Sequence, residues 1–129
     1  METTAASSSR SHRVLVVDDY PDSADMLAEA LEHMGHQVAI AHDGETALSV
    51  AAEQAPRIAL LDLRLPRMDG FELATKLKQA HGSNLVLVAM TGLSRAEERA
   101  RASLAGFEHY FVKPVDLQEL EQLLSSLVR

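Results

Sequence analysis

Charged and hydroxyl side chains stand in this sequence where apolar segments end. Asp18 and Asp19 follow the first such segment, Asp62 the third, Thr91 the fourth and Lys113 the fifth. Three carboxylates that lie close together repel one another, so a bound cation is needed to hold them. Because every side-chain metal ligand in this set is an oxygen, it favours a hard divalent ion, Mg²⁺ or Mn²⁺, over zinc or copper.

The same residues suit phosphoryl transfer. Asp62 can act as a carboxylate nucleophile and form an aspartyl phosphate. The transferred group spreads negative charge over its equatorial oxygens, which the metal, the Lys113 ammonium and the Thr91 hydroxyl can share. Gly92 leaves room beside Thr91 for the group to approach. We therefore predict Asp62, Thr91 and Lys113 as the catalytic residues of such a site.

Each of these residues also has an ordinary structural interpretation. Asp19, close before Pro21, could simply cap a helix, and the Asp18–Asp19 pair could form only a turn. Thr91 could be a loop hydroxyl and Lys113 a surface cation. The combination favours the functional interpretation, because every predicted strand end except the second carries a suitable group.

The elements that would position these residues follow from hydrophobic patterning. Short apolar runs, rich in β-branched residues, predict buried strands at residues 14–17, 36–41, 58–61, 85–90 and 110–112. Apolar residues at helical spacing predict helices around residues 24–34, 47–51, 71–77, 96–104 and 117–127. We interpret these apolar stripes as core faces, including Ala96, Ala100 and Leu104 in the fourth helix.

Strict alternation of strands and helices predicts an α/β fold, with a parallel sheet covered by helices on both faces. In such sheets, ligand sites form outside the carboxyl ends of the strands, which is where the polar residues above stand. The length of 129 residues fits one domain. We assign residues 1–12 to a disordered polar leader and residues 13–129 to the domain.

Composition narrows the function further. The formal net charge is −7 and no Lys/Arg cluster is present, so we expect no direct binding of nucleic acid. The absence of cysteine excludes disulfides and thiolate chemistry. No apolar run is long enough to cross a membrane and no secretory signal is present, so we expect a cytoplasmic protein without membrane contact.

At this point the sequence resembles the receiver domain of two-component response regulators, including those of the chemotaxis type. The matching segments read VLVVDD at residues 14–19, LDLRLPRMDG at 61–70, MTG at 90–92 and YFVKP at 110–114. They span most of the chain in the family's order and spacing. The resemblance implies a doubly wound, flavodoxin-like (βα)5 receiver fold with strand order 2-1-3-4-5.

The resemblance also implies residue roles in metal binding and phosphorylation. Asp62 corresponds to the phosphoacceptor. Asp19, Asp62 and the backbone carbonyl of Arg64 correspond to direct metal ligands, while Asp18 acts mostly through water. Arg64 and the rim position Leu93 carry no obvious group to orient an attacking water, so we hypothesise a long-lived phosphoryl-aspartate.

A switch is implied as well. Thr91 and Lys113 correspond to the phosphoryl-binding pair, and Tyr110 to the aromatic whose rotamer follows Thr91. Their movement would alter the face made by the fourth helix, fifth strand and fifth helix, which is the predicted partner surface. Pro66 and Gly70 would shape the loop after the third strand, and the peptide bond before Pro114 is often cis in this family.

The implied partners are a histidine kinase or histidine phosphotransfer protein as phosphoryl donor and an unidentified downstream protein. The domain would catalyse only its own phosphorylation and dephosphorylation. Its expected context is either a stand-alone regulator or a receiver within a hybrid histidine kinase. One alternative is a non-phosphorylated pseudo-receiver that acts as a scaffold. A haloacid-dehalogenase-type phosphatase is disfavoured, because Arg64 stands where that class needs a second aspartate.

Overall fold

A parallel sheet of five strands forms the centre of the molecule. The computed structural model describes residues 11–92 and 95–127. The strands, β1 to β5 in chain order, are Arg13–Val17, Gln37–Ala41, Ile58–Asp62, Val86–Thr91 and Phe107–Val112. Their order in the sheet is β2-β1-β3-β4-β5, which confirms the predicted 2-1-3-4-5 topology.

A helix follows each strand, and four of the five described helices begin at a recognisable start signal. The helices, α1 to α5 in chain order, are Pro21–His33, Gly44–Gln54, Gly70–His81, Ala96–Ala105 and Leu117–Ser126, with a short 3-10 turn at Gly82–Asn84. Asp43, Asp69 and Asp116 cap α2, α3 and α5, since each side chain accepts a hydrogen bond from a first-turn backbone N–H. α1 begins instead with a proline, whose missing N–H costs nothing at that position.

The sheet divides the core into two apolar clusters. Alternate strand residues such as Leu15 and Leu61 point to one face, which α2, α3 and α4 cover. The intervening residues, such as Val16 and Leu60, point to the other face, which α1 and α5 cover. Since β1, β3 and β4 are apolar on both faces, they fill the middle of the sheet, and their carboxyl ends meet at one edge.

The predicted core face of the fourth helix is wrong. Leu104 is 90% exposed, and Ala96 and Ala100 are also exposed. The buried position of α4 is Ala102, one turn after the partly buried Glu98. The inward side of this helix therefore carries a carboxylate, and hydrogen bonds from the Thr91 and Tyr110 hydroxyls offset the cost of its burial. A search for apolar residues at helical spacing cannot detect such a side.

The fifth strand is longer than the predicted residues 110–112. It begins at Phe107, which pairs with Leu87, while the next strand partners are Val88 and His109. Glu108 is thus the extra residue of a β-bulge. The exposed polar residues Glu108 and His109 hide this part of the edge strand from a search for apolar runs.

Ser11 and His12 pack onto the domain ahead of the predicted start at residue 13. The buried His12 side chain contacts the backbone oxygen of Leu124 in α5 through Nε2, at 3.0 Å, and its ring stacks on His36. The remainder of the predicted leader, residues 1–10, lies outside the described residues.

Candidate functional site

Asp62 is the last residue of β3 and lies at the centre of the carboxyl edge of the sheet. Its buried carboxylate accepts hydrogen bonds from the backbone N–H of Arg64 at 2.9 Å and from Lys113 Nζ at 2.9 Å. Burial raises the pKa of Asp62, and the charge of Asp18 adds to this, while the bonds from Arg64 and Lys113 oppose it. Two donors therefore orient a carboxylate that is only partly stabilised as an anion.

Lys113 follows β5 and joins two of the acidic residues. Its ammonium lies 2.9 Å from Asp62 Oδ2 and 3.1 Å from Asp18 Oδ2. Burial alone lowers the pKa of Lys113, but the bonds and charges of Asp62 and Asp18 outweigh burial and raise the pKa overall. The side chain is thus held as a cation at the acidic cluster. The Lys113–Pro114 peptide bond is cis, as the resemblance implied.

Asp18, Asp19 and Asp62 form an acidic cluster, in which each residue offers an oxygen within 4.8 Å of the others. Asp18 is buried and accepts a hydrogen bond from the backbone N–H of Tyr20, whereas Asp19 is exposed. Asp19 does not cap α1, because Tyr20 occupies that position and no side chain caps the helix. The ordinary interpretation of Asp19 as a helix cap is therefore wrong.

The donor set fits a divalent cation of the hard class. All side-chain donors in the cluster are carboxylate oxygens, and the exposed Asp19 leaves one side open to solvent. The backbone N–H of Arg64 is engaged with Asp62, and the metal role of the Arg64 carbonyl stays a prediction. The rim position Leu93 lies outside the described residues.

Thr91, the predicted phosphoryl-binding hydroxyl, is fully buried at the end of β4. Parallel pairing brings it level with Val112, the residue before Lys113, and the N–H of Lys113 donates to the Thr91 carbonyl at 2.7 Å. Neighbouring Gly92 is exposed, and a Cβ there would meet nothing within 4 Å. The sheet thus brings Thr91, Lys113 and Asp62 to one edge.

Glu98 is a site residue that the sequence reasoning missed. It lies in the first turn of α4, and its Oε1 accepts hydrogen bonds from Tyr110 Oη at 3.0 Å and from Thr91 Oγ1 at 3.3 Å. Its Oε2 lies 3.6 Å from Arg64 Nη2. Glu98 lies one helical turn before Ala102. A sequence prediction that buried Ala102 would therefore also have placed Glu98 on the inward face.

Tyr110 is held from several sides. Burial raises the pKa of its phenol, and the hydrogen bond and charge of Glu98 raise it further. The guanidinium of Arg99 lies over the ring, 4.4 Å from its centre, and partly opposes this rise. The predicted switch pair, Thr91 and Tyr110, therefore meets at one carboxylate.

Gly70 packs against the backbone of Asp62 and Leu63. Its N–H donates to the Leu63 carbonyl at 3.0 Å, and a Cβ on Gly70 would lie 2.7 Å from Leu63 Cα and 2.8 Å from the Asp62 carbonyl oxygen. The first turn of α3 therefore packs directly on the backbone that carries the Asp62 side chain. Only a residue without a side chain permits this approach.

Among residues 11–92 and 95–127, none of the helices combines the length and the hydropathy that a membrane-spanning segment needs.

Comparison with known proteins gives a consistent result. The family model described as "Response regulator receiver domain" matches residues 14–125. An uncharacterised 14.6 kDa protein of Leptolyngbya boryana is 39% identical over 112 residues, which cover 86% of each chain. The sensor histidine kinase RcsC of Salmonella typhi is 38% identical over 87% of this chain, but the match spans only 12% of the kinase.

Among solved structures, the chemotaxis protein CheY4 of Vibrio cholerae superimposes with a TM-score of 0.81 and 26% sequence identity. The match covers 87% of this chain and 94% of CheY4.

Proposed function

The chain belongs to the response regulator receiver domain family of two-component signalling, and we propose that it accepts a phosphoryl group on Asp62. The proposed donor is the phosphohistidine of a histidine kinase or histidine phosphotransfer protein. An Asp62 carboxylate oxygen attacks phosphorus, the bond from phosphorus to the imidazole nitrogen breaks, and the departing nitrogen takes up a proton, which leaves a neutral imidazole. The products are an acyl phosphate on Asp62 and a free histidine.

One observation carries this proposal: the Lys113 ammonium lies 2.9 Å from Asp62 Oδ2, inside an acidic cluster at the carboxyl edge of the sheet. A cation in this place can follow the negative charge from the carboxylate to the phosphoryl oxygens. Thr91 supplies a hydroxyl donor from the neighbouring strand. In this proposal, Lys113 and Thr91 supply positioning and part of the charge that acceptance of the group requires.

We propose Mg²⁺, or Mn²⁺ in its place, as the cofactor, held by Asp19, Asp62 and the Arg64 carbonyl, with Asp18 acting mostly through water. When bound, the ion supplies positive charge that offsets the repulsion between the carboxylates and the incoming phosphoryl group. Three acidic oxygens within 4.8 Å of one another support this assignment. Lys113, which follows β5, neutralises part of the negative charge of Asp18 and Asp62.

Phosphorylation would act through Thr91 and Tyr110. A phosphoryl group adds about −1.5 to −2 charges at neutral pH, which attracts Thr91 and Lys113 towards Asp62. Movement of Thr91 changes the surroundings of the Tyr110 ring and so alters the surface formed by α4, β5 and α5. We propose this surface as the contact for a downstream protein.

We propose a cytoplasmic protein that catalyses only its own phosphorylation and dephosphorylation and makes no direct contact with nucleic acid or membrane. A formal net charge of −7 supports the exclusion of nucleic acid. Both contexts, a stand-alone regulator and a receiver within a larger kinase, are consistent with relatives that match over most of their length and over 12% of it.

Acetyl phosphate with Mg²⁺ tests the central step. Intact-mass spectrometry of the wild type should show one labile phosphoryl adduct. Asp62→Asn should show none, whereas Asp116→Asn, which changes an aspartate at the cap of α5, should be modified like the wild type. An unmodified wild type in Mg²⁺ would refute the proposal and favour the scaffold function of a pseudo-receiver.

Beryllofluoride, a phosphoryl mimic, tests the switch. In the presence of Mg²⁺ it should shift the NMR resonances of α4, β5 and α5. Unchanged shifts on this face would exclude it as the switched surface.

The rate of decay of the Asp62 phosphoryl adduct tests its lifetime. We propose a long lifetime because the exposed Arg64 side chain is paired with Glu98 rather than placed to orient water. Decay as fast as in chemotaxis-type receivers would contradict this.

A further inference from the structure

Glu98 contacts three residues with separate parts in the proposed reaction. Its Oε1 lies 3.3 Å from the hydroxyl of Thr91 and 3.0 Å from that of Tyr110, and its Oε2 lies 3.6 Å from the guanidinium of Arg64. The Glu98 side chain is only 17% exposed. A carboxylate accepts hydrogen bonds and donates none, so both hydroxyls are donors in this arrangement.

The Thr91 hydroxyl has one proton to donate. In the resting structure the hydroxyl lies 3.3 Å from Glu98 Oε1 and also hydrogen-bonds with the Tyr110 phenol, whereas the phosphorylated state needs its proton for a phosphoryl oxygen on Asp62. The two acceptors therefore compete for one donor. Their negative charges also repel each other, which makes simultaneous binding of Thr91 more costly.

We propose that Glu98 is a positioning residue that holds Thr91 and Tyr110 in the resting arrangement and competes with the phosphoryl group for the Thr91 hydroxyl. Because Glu98 belongs to α4, release of Thr91 also frees this helix from the end of β4. The chemical event at Asp62 is thereby linked to the surface that carries α4. This inference rests on the proposed phosphorylation of Asp62.

Replacement of Glu98 by glutamine keeps the shape of the side chain and removes its charge. Hydrogen bonds to charged groups are stronger than those to neutral ones, so Glu98→Gln weakens the resting arrangement. In Mg²⁺, the variant should bind beryllofluoride more tightly than the wild type, by roughly 3-fold to 30-fold. Glu98→Ala should act in the same direction.

Glu97→Gln is the matched control. Glu97 lies in the same first turn of α4 and carries the same charge, but its side chain is exposed. Loss of one negative charge, or an altered helix terminus, acts in the same direction in both variants. Tighter beryllofluoride binding by Glu98→Gln alone therefore supports the proposal, and equal binding by the two variants overturns it.

Tyrosine fluorescence provides a readout in the resting protein. The chain has no tryptophan and two tyrosines, so a Tyr20→Phe background leaves Tyr110 as the single emitter. A carboxylate acceptor quenches phenol emission, so Glu98→Gln should brighten the signal and Glu97→Gln should leave it unchanged. An unchanged signal in Glu98→Gln overturns the contact between Glu98 and Tyr110.

The two measurements together separate failure of this inference from failure of the proposed function. If the fluorescence changes but the wild type binds no beryllofluoride, the contact between Glu98 and Tyr110 stands. The proposed function then fails, and the competition for the Thr91 hydroxyl fails with it.

Discussion

Replacement of Gly70 by alanine should destabilise the protein by forcing the first turn of α3 away from the site. The new Cβ would lie 2.7 Å from Leu63 Cα and 2.8 Å from the carbonyl oxygen of Asp62. Carbon atoms in contact normally lie about 3.5–4.0 Å apart, so the backbone must separate by about 0.8 Å. Overpacking of this kind costs about 1–3 kcal/mol, since neither neighbour is a flexible side chain.

The loss of glycine offsets part of that cost. An alanine restricts the unfolded chain more than glycine does, which stabilises the protein by about 0.4–1 kcal/mol where the native backbone permits it. With the middle value of each range, about 2 and about 0.7 kcal/mol, the net loss for Gly70→Ala is about 1.3 kcal/mol. With a urea dependence of about 2 kcal/mol per molar, the unfolding midpoint should fall by roughly 0.5–1 M.

Gly44→Ala is the matched control. Gly44 and Gly70 are each the first residue of a helix and follow an aspartate that caps it, Asp43 and Asp69 respectively. A Cβ at Gly44 would lie 2.6 Å from the sulfur of Met68, which is part of a flexible side chain. Rotation of Met68 costs about 0.5–1.5 kcal/mol, which the glycine effect nearly cancels.

Urea unfolding followed by circular dichroism checks the comparison. Gly70→Ala should be clearly less stable than Gly44→Ala, and it should also react more slowly with acetyl phosphate because the strain acts on the Asp62 backbone. Equal midpoints for the two variants would show that the backbone contact at Gly70 does not limit this site. A stability of Gly70→Ala equal to that of the wild type would refute the reasoning outright.

Other predictions concern residues away from the acidic cluster. Burial and, secondarily, His12 lower the pKa of His36, with Glu121 opposing, so the unfolded state binds the proton more readily. Stability should thus be full above about pH 6.5 and fall as the pH drops below it, and His36→Asn should flatten this slope between pH 7.5 and 5.5 in urea melts. Asp116→Ala should cost about 1 kcal/mol through loss of the α5 cap, whereas Asp116→Asn should cost little. Leu104→Gln should change the free energy of unfolding by less than about 0.5 kcal/mol, and a loss above 2 kcal/mol would contradict its 90% exposure.

The sheet and the acidic site follow from the sequence because their signals are local. Continuous apolar runs mark β1, β3 and β4, since both faces of these strands are covered by helices. Parallel strands bring their carboxyl ends to one edge, so Asp62, Thr91 and Lys113 could be placed together without knowledge of distances. The Lys113 bonds to Asp18 and Asp62 are consistent with that expectation.

The parts that sequence reasoning missed depend on polar burial. Glu98 faces inward because Thr91 and Tyr110 satisfy it, and these partners are 7 and 12 residues away in the chain. The burial of His12 is compensated by a hydrogen bond between its ring and the backbone oxygen of Leu124, which is 112 residues away in the chain. Hydropathy patterns treat such residues as solvent-facing, and only the three-dimensional contacts reveal that their burial is compensated.

The contact between His12 and Leu124 has a consequence for how this domain can be joined to other segments. It brings the start of β1 and the end of α5 together, whereas Asp62 lies at the carboxyl end of β3. Residues 11 and 127, at the two limits of the described chain, therefore lie on the side of the sheet remote from the acidic cluster. Neighbouring ends of this kind tolerate insertion of a domain into a longer protein. Fusion of a reporter protein at either end should accordingly leave the approach of the proposed phosphoryl donor to Asp62 unobstructed.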